Sequence, residues 1–335
     1  MSTIAVMGGG AWGTALALTL AQHGGHSITL WTHSPAAAEA ICKTRENSAF
    51  LPGFQLPRGV AVTSEAADAL SNAEIVLSVM PSHYVRESYT AFAPHLHAEQ
   101  VLVSATKGIE DQTALRMSEV IAEVLAARNL NLPLAVISGP SFAQELAAGS
   151  PTAITVASRN LKLAARIQQE FAGKTLRLYT NEDVIGVELG GALKNVIAIA
   201  AGAVSGLKLG HNSTAALITR GIAEITRLAV ACGGRRETLA GLSGLGDLVL
   251  TCTGSLSRNR WVGQELGKGN SLSEAIAGLK GKVAEGVRTT SAALELARRH
   301  KVEMPITEQV HAILYQGKHP SEAIQDLMGR PGRDE

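Results

Sequence analysis

Short apolar runs and longer helix-like stretches alternate along the first half of the chain. Strand candidates lie at 3–7 (TIAVM), 26–31, 60–62, 75–79, 101–104 and 134–137, with helical composition between them at 11–20, 84–92 and 113–128. This rhythm predicts right-handed βαβ units and a parallel sheet. Two further runs, 153–157 and 175–179, flank a helical segment at 161–171 and should extend that sheet. From Val184 onward strand signals almost vanish. The stretch VIGVELGGALKNVIAIAAGAV reads as one long apolar helix, and 214–231 and 290–300 are also helical. The expected boundary is therefore near Asp183, with an α/β domain at 1–183 and an all-α domain at 184–335.

The turn after the first strand sharpens the picture. Gly8, Gly10 and Gly13 fit G-x-G-x-x-G between a strand and a helix. In that setting Gly8 allows the tight turn, Gly10 lets the backbone approach a pyrophosphate, and Gly13 lets the helix pack closely on the strand. The first domain is thus expected to be Rossmann-type and to bind a dinucleotide. A sheet that holds NAD alone usually ends its second strand with an acid for the ribose hydroxyls. Here Trp31 is followed by Thr32-His33-Ser34-Pro35, and no carboxylate occurs before Glu39. The cofactor is NADP or NAD, with NADP favoured. His33 could sit against the adenosine ribose and Arg45 could reach a phosphate; both also read as solvated loop residues.

The 335 residues suit two domains. A net charge of +1 gives no reason to expect nucleic acid or an acidic membrane as partner. Cys42, Cys232 and Cys252 form neither a C-x-x-C pair nor an even set, which points to a reducing, cytoplasmic setting. The first apolar stretch is interrupted by glycine and lacks a basic flank, unlike a signal peptide. The segment 187–204 comes nearest to a membrane span but carries Lys194 and Asn195, so membrane insertion is not expected. No metal is expected, and a homodimer is an admissible assembly.

Candidate chemistry gathers where strands should end, since open parallel sheets bind ligands beyond their carboxyl edges. Met80-Pro81-Ser82-His83 follows one strand and could pass over the cofactor. Lys107 follows another and could meet a substrate or cofactor oxygen. Gly139, Ser141 and Ala143 follow a third, in a loop small enough for close approach. In the helical half, Lys194 lies in a helix apolar almost all round, with Gly190-Gly191 expected to clear space beside it. A buried ammonium must find partners or lower its pKa, and either suits an acid/base that exchanges a proton with a carbinol oxygen. GLSGLGDL reads as a glycine-rich turn presenting Asp247, which could hydrogen-bond Lys194 or cap the next helix. Ser257, Arg258 and Asn259 supply the fork and neutral donors that a phosphate monoester needs, though capping residues in an exposed basic loop would look the same. Glu285, in VAEGV, could bond the cofactor amide or ribose, or be a solvated turn acid.

Taken in order, GGGAWGTALA, SVMPSHYVRE, SATKGIE, ISGPSFAQE, LKNVIAIAAG, NSTAALITRG, GLSGLGDLVLTC, SRNRWVG and AEGVRTT resemble bacterial NAD(P)-dependent glycerol-3-phosphate dehydrogenases over essentially the whole chain. The resemblance implies a Rossmann-like domain joined to a helical one. It also implies interconversion of dihydroxyacetone phosphate and sn-glycerol 3-phosphate, supplying phospholipid synthesis. By the same resemblance Lys194 is the proton acceptor, and Lys107, Gly139, Ser141, Asp247, Ser257, Arg258 and Asn259 contact the phosphorylated substrate. Cofactor contacts would include Ala11, Trp12, His33, Lys107, Ala143, Arg258, Val283 and Glu285. Departures are few: Gly9 stands where Ala is frequent, Ser205 replaces a usual Asp, and His211 sits where an acid or polar residue is common. Two other readings stay open. One is a related β-hydroxyacid or 3-hydroxyacyl-CoA dehydrogenase; the other is a nicotinamide-binding redox sensor without chemistry.

Overall fold

A computed structural model describes residues 2–332. Eight strands, β1 (Thr3–Met7), β2 (Ser27–Trp31), β3 (Ala61–Thr63), β4 (Ile75–Ser78), β5 (Val101–Ser104), β6 (Leu134–Ser138), β7 (Thr152–Ala157) and β8 (Leu176–Asn181), form one sheet in the order β3-β2-β1-β4-β5-β6-β7-β8. Every neighbouring pair is parallel except β6 and β7. The helices packed with it are α1 (Ala11–His23), α2 (Pro35–Thr44), α3 (Ala66–Leu70), α4 (Val85–Phe92), α5 (Met117–Ala126), α6 (Ala143–Ala147) and α7 (Leu161–Phe171).

Successive strand residues point to opposite faces, so each strand feeds two cores. Ile4 and Val6 join Leu16 and Leu20 of α1, Leu146 of α6 and Phe171 of α7 on one side. Ala5 and Met7 join Tyr89 and Phe92 of α4 and Val120 of α5 on the other. A sheet covered on both faces makes its strands apolar runs, which is why they were legible in the sequence.

The remaining helices are α8 (Val184–Gly206), α9 (Gly210–Ala231), α10 (Arg236–Leu239), α11 (Asp247–Thr253), α12 (Arg258–Gly267), α13 (Leu272–Gly278), α14 (Glu285–His300), α15 (Pro305–Tyr315) and α16 (Pro320–Met328). By length and composition α8 could cross a membrane, yet 83% of its most apolar window is buried inside the protein, as befits a core helix. The chain divides into two compact units. One comprises the residues up to Lys107 with Leu115–Val187, and the other Gly108–Ala114 with the chain from Glu188 on.

Three details differ from the sequence-based expectations. The division falls inside α8 rather than at Asp183, because Val187 in its first turn is buried with Val136 and Ala157 of the sheet. The helix expected from 113 starts only at Met117. There Glu119 accepts from the Arg116 backbone N–H at 3.0 Å, fixing the end, while Ala114 adopts φ 55°. The glycine-rich stretch Leu242–Gly246 is a π-helical turn that runs directly into α11. Gly244 permits it, since a Cβ there would lie 2.1 Å from the Leu239 carbonyl oxygen.

Candidate active site

The dinucleotide cradle in the first unit is built by backbone proximity. Gly8 has φ 143°, and a Cβ on it would stand 2.5 Å from the Val79 carbonyl oxygen; one on Gly13 would stand 1.9 Å from that of Gly8. Both positions require glycine. A Cβ on Gly10 would meet nothing within 4 Å, so the start of α1 is open to an approaching group. Gly10 is also the N-cap, without a side-chain cap, where the helix dipole favours an anion.

Asn47, which drew no attention in the sequence, holds this loop. Buried, it donates to the Gly9 carbonyl at 2.7 Å and to Thr14 Oγ1 at 2.8 Å. Its distance from the glycine motif helped to hide it. Ala11 is half-buried at the start of α1, and Trp12 and Ala143 are half-buried against the core that α1 shares with the sheet. His33 is exposed just past β2, with its ring edge-on to Trp31 at 6.2 Å between centroids. Arg45 is otherwise engaged: its Nη2 donates to the carbonyls of Pro57 at 2.6 Å and Val60 at 2.7 Å, which ties down a loop.

At the ends of β5 and β6 three expected residues meet. Lys107 Nζ donates to the Gly139 carbonyl at 3.1 Å, and Ser141 Oγ donates to the same oxygen at 2.9 Å. Gly139 has φ 148°, and a Cβ there would lie 2.9 Å from the Ile154 backbone, so the turn tolerates no side chain. Thr106 Oγ1 donates to the Met80 carbonyl at 2.9 Å, joining the loop after β5 to that after β4.

In the second unit Lys194, 7% exposed, donates to Asp247 Oδ1 at 2.6 Å and to Thr251 Oγ1 at 2.9 Å. Asp247 is 1% exposed, so this is a buried charge pair whose geometry must offset desolvation. Thr251, one helical turn after Asp247, donates in turn to the Asp247 carbonyl at 2.6 Å. That Thr completes the triad was not foreseen, since a threonine inside a helix usually bonds its own backbone. Gly190 does not clear space for the lysine; a Cβ there would sit 2.5 Å from the Ser243 carbonyl oxygen, so glycine brings the π turn onto α8. Beside the pair, burial pushes the Cys252 thiol up to about 12, partly opposed by Lys194 and Arg260.

The motif Ser257-Arg258-Asn259 opens α12. Ser257 is the N-cap and accepts from the Arg260 N–H at 3.2 Å. The Arg258 residue is exposed as a whole, yet burial around its guanidinium draws the pKa below the ordinary arginine value, with the Glu285 carboxylate acting the other way. The group keeps its charge. Glu285 is the first residue of α14, preceded by half-buried Val283. Asn259 donates to Asn195 Oδ1 at 2.9 Å, so part of its amide is committed inside the protein. Ser205 accepts from Arg260 Nη2 at 3.2 Å, and His211 is exposed near the start of α9.

The descriptions of the matching family models are NAD-dependent glycerol-3-phosphate dehydrogenase N-terminus, over residues 3–164, and C-terminus, over residues 183–325. A glycerol-3-phosphate dehydrogenase [NAD(P)+] of Acidobacterium capsulatum is 65% identical over 100% of each chain. One from Koribacter versatilis is 61% identical over 100% of this chain and 99% of its own. The crystal structure of glycerol-3-phosphate dehydrogenase from Coxiella burnetii is 41% identical and superposes with a TM-score of 0.94, covering 98% of this chain and 99% of that one. The chain belongs to the NAD-dependent glycerol-3-phosphate dehydrogenase family.

Proposed function

We propose that this protein interconverts dihydroxyacetone phosphate and sn-glycerol 3-phosphate by hydride exchange with NADP or NAD. The observation that carries the reading is the buried Lys194–Asp247 pair at 2.6 Å, in the same unit as Ser257-Arg258-Asn259 at the start of α12. A bound nicotinamide supplies or accepts the hydride. Lys194 delivers a proton to the carbonyl oxygen during reduction and takes it back during oxidation, while Asp247 and Thr251 hold its ammonium in place. Arg258 offers two parallel donors to phosphate oxygens, and the N-terminus of α12 adds favourable dipole. Lys107, Gly139, Ser141, Asp247, Ser257 and Asn259 supply further substrate contacts. Gly8, Gly10, Ala11, Trp12, Gly13, His33, Ala143, Val283 and Glu285 hold the cofactor, with Lys107 and Arg258 shared.

The absence of a carboxylate at the end of β2 favours NADPH, since an acid there would repel a 2′-phosphate. His33→Asp should therefore raise the KM for NADPH more than that for NADH; equal effects would show that this strand end does not read the ribose. The cysteines carry no disulfide, which supports a reducing cytoplasmic setting and a role in supplying glycerol 3-phosphate for phospholipids.

Nicotinamide oxidation followed with three substrates tests the assignment. Dihydroxyacetone phosphate should be reduced rapidly and unphosphorylated dihydroxyacetone poorly, with no turnover of an acyl-CoA ketone. Turnover of the acyl-CoA compound would favour a 3-hydroxyacyl-CoA dehydrogenase, and binding of NADPH without any turnover would favour a redox sensor.

A further inference from the structure

Asn195 follows Lys194 in α8, Asn259 follows Arg258 in α12, and Gly286 follows Glu285 in α14. These three chain neighbours are bonded to one another. Asn259 Nδ2 donates to Asn195 Oδ1 at 2.9 Å, and the Gly286 backbone N–H donates to Asn259 Oδ1 at 2.9 Å. The direction is fixed by chemistry. A backbone N–H can meet only the amide oxygen, so the Asn259 nitrogen must face Asn195. Asn195 is 5% exposed and Asn259 8%, so neither bond is readily exchanged for water.

The local sequence of α14 explains why the bond is needed. Its N-cap, Ala284, has no side-chain oxygen and makes no capping bond. Asn259 performs that capping from a different helix. Gly286 permits the approach, since a Cβ there would lie 2.5 Å from the Asn195 carbonyl oxygen and 2.9 Å from Asn259 Oδ1. Adjacent residues on a helix are about 100° apart, so gripping one side chain fixes the rotation at which its neighbour projects.

We infer that Asn195 is a positioning residue and that Asn259 positions in addition to its expected substrate contact, for which its second Nδ2 hydrogen remains: their amides lock α8, α12 and α14 together so that Lys194, Arg258 and Glu285 are aimed jointly at proton, phosphate and cofactor. This inference rests on the roles proposed above for those three residues. It predicts a division of labour along the relay. The Asn195 link registers the lysine against the phosphate-binding arginine, and the Gly286 link registers the glutamate.

Steady-state kinetics with dihydroxyacetone phosphate, NADPH titration and thermal melting of four proteins test this. Asn195→Ala should lower kcat/KM about 10- to 100-fold, the size of effect expected from misplacing reacting groups, and leave the NADPH Kd within about twofold because the cap on α14 survives. Asn259→Ala should lower kcat/KM comparably and also weaken NADPH about threefold or more, as an N-cap is lost. Adding Ala284→Ser to Asn259→Ala restores a local cap, and should recover the NADPH Kd but not kcat/KM. A purely structural role would lower Tm in Asn195→Ala while kcat/KM, measured well below the melt, stayed at the wild-type value; that result would overturn the inference. Wild type inert toward dihydroxyacetone phosphate would instead overturn the reading of the site, whereas an active wild type with an unimpaired Asn195→Ala would overturn only the positioning role.

Discussion

Lys194 is surrounded by apolar helix and still keeps its charge partner, Asp247, at 2.6 Å. Removing either member leaves the other buried and uncompensated, which is why such a pair is retained for function more readily than for stability. Lys194→Ala should lower kcat by about 10²–10⁴, while NADPH affinity, measured by titration, stays near wild type. An unchanged kcat would remove the lysine from the proton's path. The sequence made Lys194 legible because a charge inside an apolar helix is rare enough to demand a reason, and Asp247 because a glycine-rich turn presents it. Thr251, Asn47 and Asn195 carry hydroxyls and amides that also serve as caps and turn residues, so nothing in their types distinguished them. Arg45 was ambiguous for the opposite reason: a guanidinium suits a phosphate, and here it satisfies two loop carbonyls instead.

At the scale of elements, α8 and α12 meet backbone to backbone. A Cβ on Gly202 would stand 1.9 Å from the Arg260 carbonyl oxygen, and one on Gly263 would stand 1.8 Å from that of Ile199. Gly206 and Gly267, one turn further along each helix, are also close, with a Cβ 2.4 Å from the Gln264 carbonyl oxygen and 2.5 Å from that of Ala203. This contact fixes how closely α8, which carries Lys194, approaches α12, which carries Arg258. Gly263→Ala should destabilise the protein by about 1–3 kcal/mol or more through overpacking, read as a lower denaturation midpoint, and should reduce kcat/KM in the protein that remains folded. A midpoint within error of wild type would mean that the helices separate without strain. Strands and long helices were legible because burial imposes hydrophobic pattern on them. The antiparallel pairing of β7 with β6 and the π turn before α11 were not, since neither alters that pattern. The late start of α5 escaped for a related reason: residues 113–116 have helical composition, but segment 108–114 belongs to the second unit.

On the scale of the molecule, the chain passes from one unit to the other at Lys107, again after Ala114, and finally within α8. Segment 108–114 is held by α14, with Asp111 paired to Arg288 at 3.2 Å and the Thr113 carbonyl accepting from Arg299 at 2.7 Å. The first unit has its own pH sensitivity. Burial holds the His23 imidazole below its ordinary 6.5, the nearby Phe171 backbone opposing and His26 reinforcing the shift. His26 is bonded to the Glu170 carbonyl at 2.8 Å. An unfolded chain takes up the His23 proton near pH 6.5, and the folded one does so only at lower pH. Between those values the unfolded state binds more protons, so this contribution is intact above 6.5 and is lost as pH falls. Denaturation midpoints should decline from pH 7 toward pH 5, and His23→Gln should shallow that slope; parallel slopes would acquit the histidine.

The central claim is that this dehydrogenase reads its substrate by the phosphate, through Arg258. Charge-assisted hydrogen bonds are worth about 1.5–3 kcal/mol each, and a planar fork makes two. The deciding measurement is kcat/KM of wild type and Arg258→Ala on dihydroxyacetone phosphate and on dihydroxyacetone. The account predicts a loss of at least about tenfold on the phosphorylated ketone, little further loss on the unphosphorylated one, and only partial recovery with Arg258→Lys, since an ammonium cannot reproduce the fork. Equal losses on both ketones would contradict it and assign Arg258 to the cofactor or the fold.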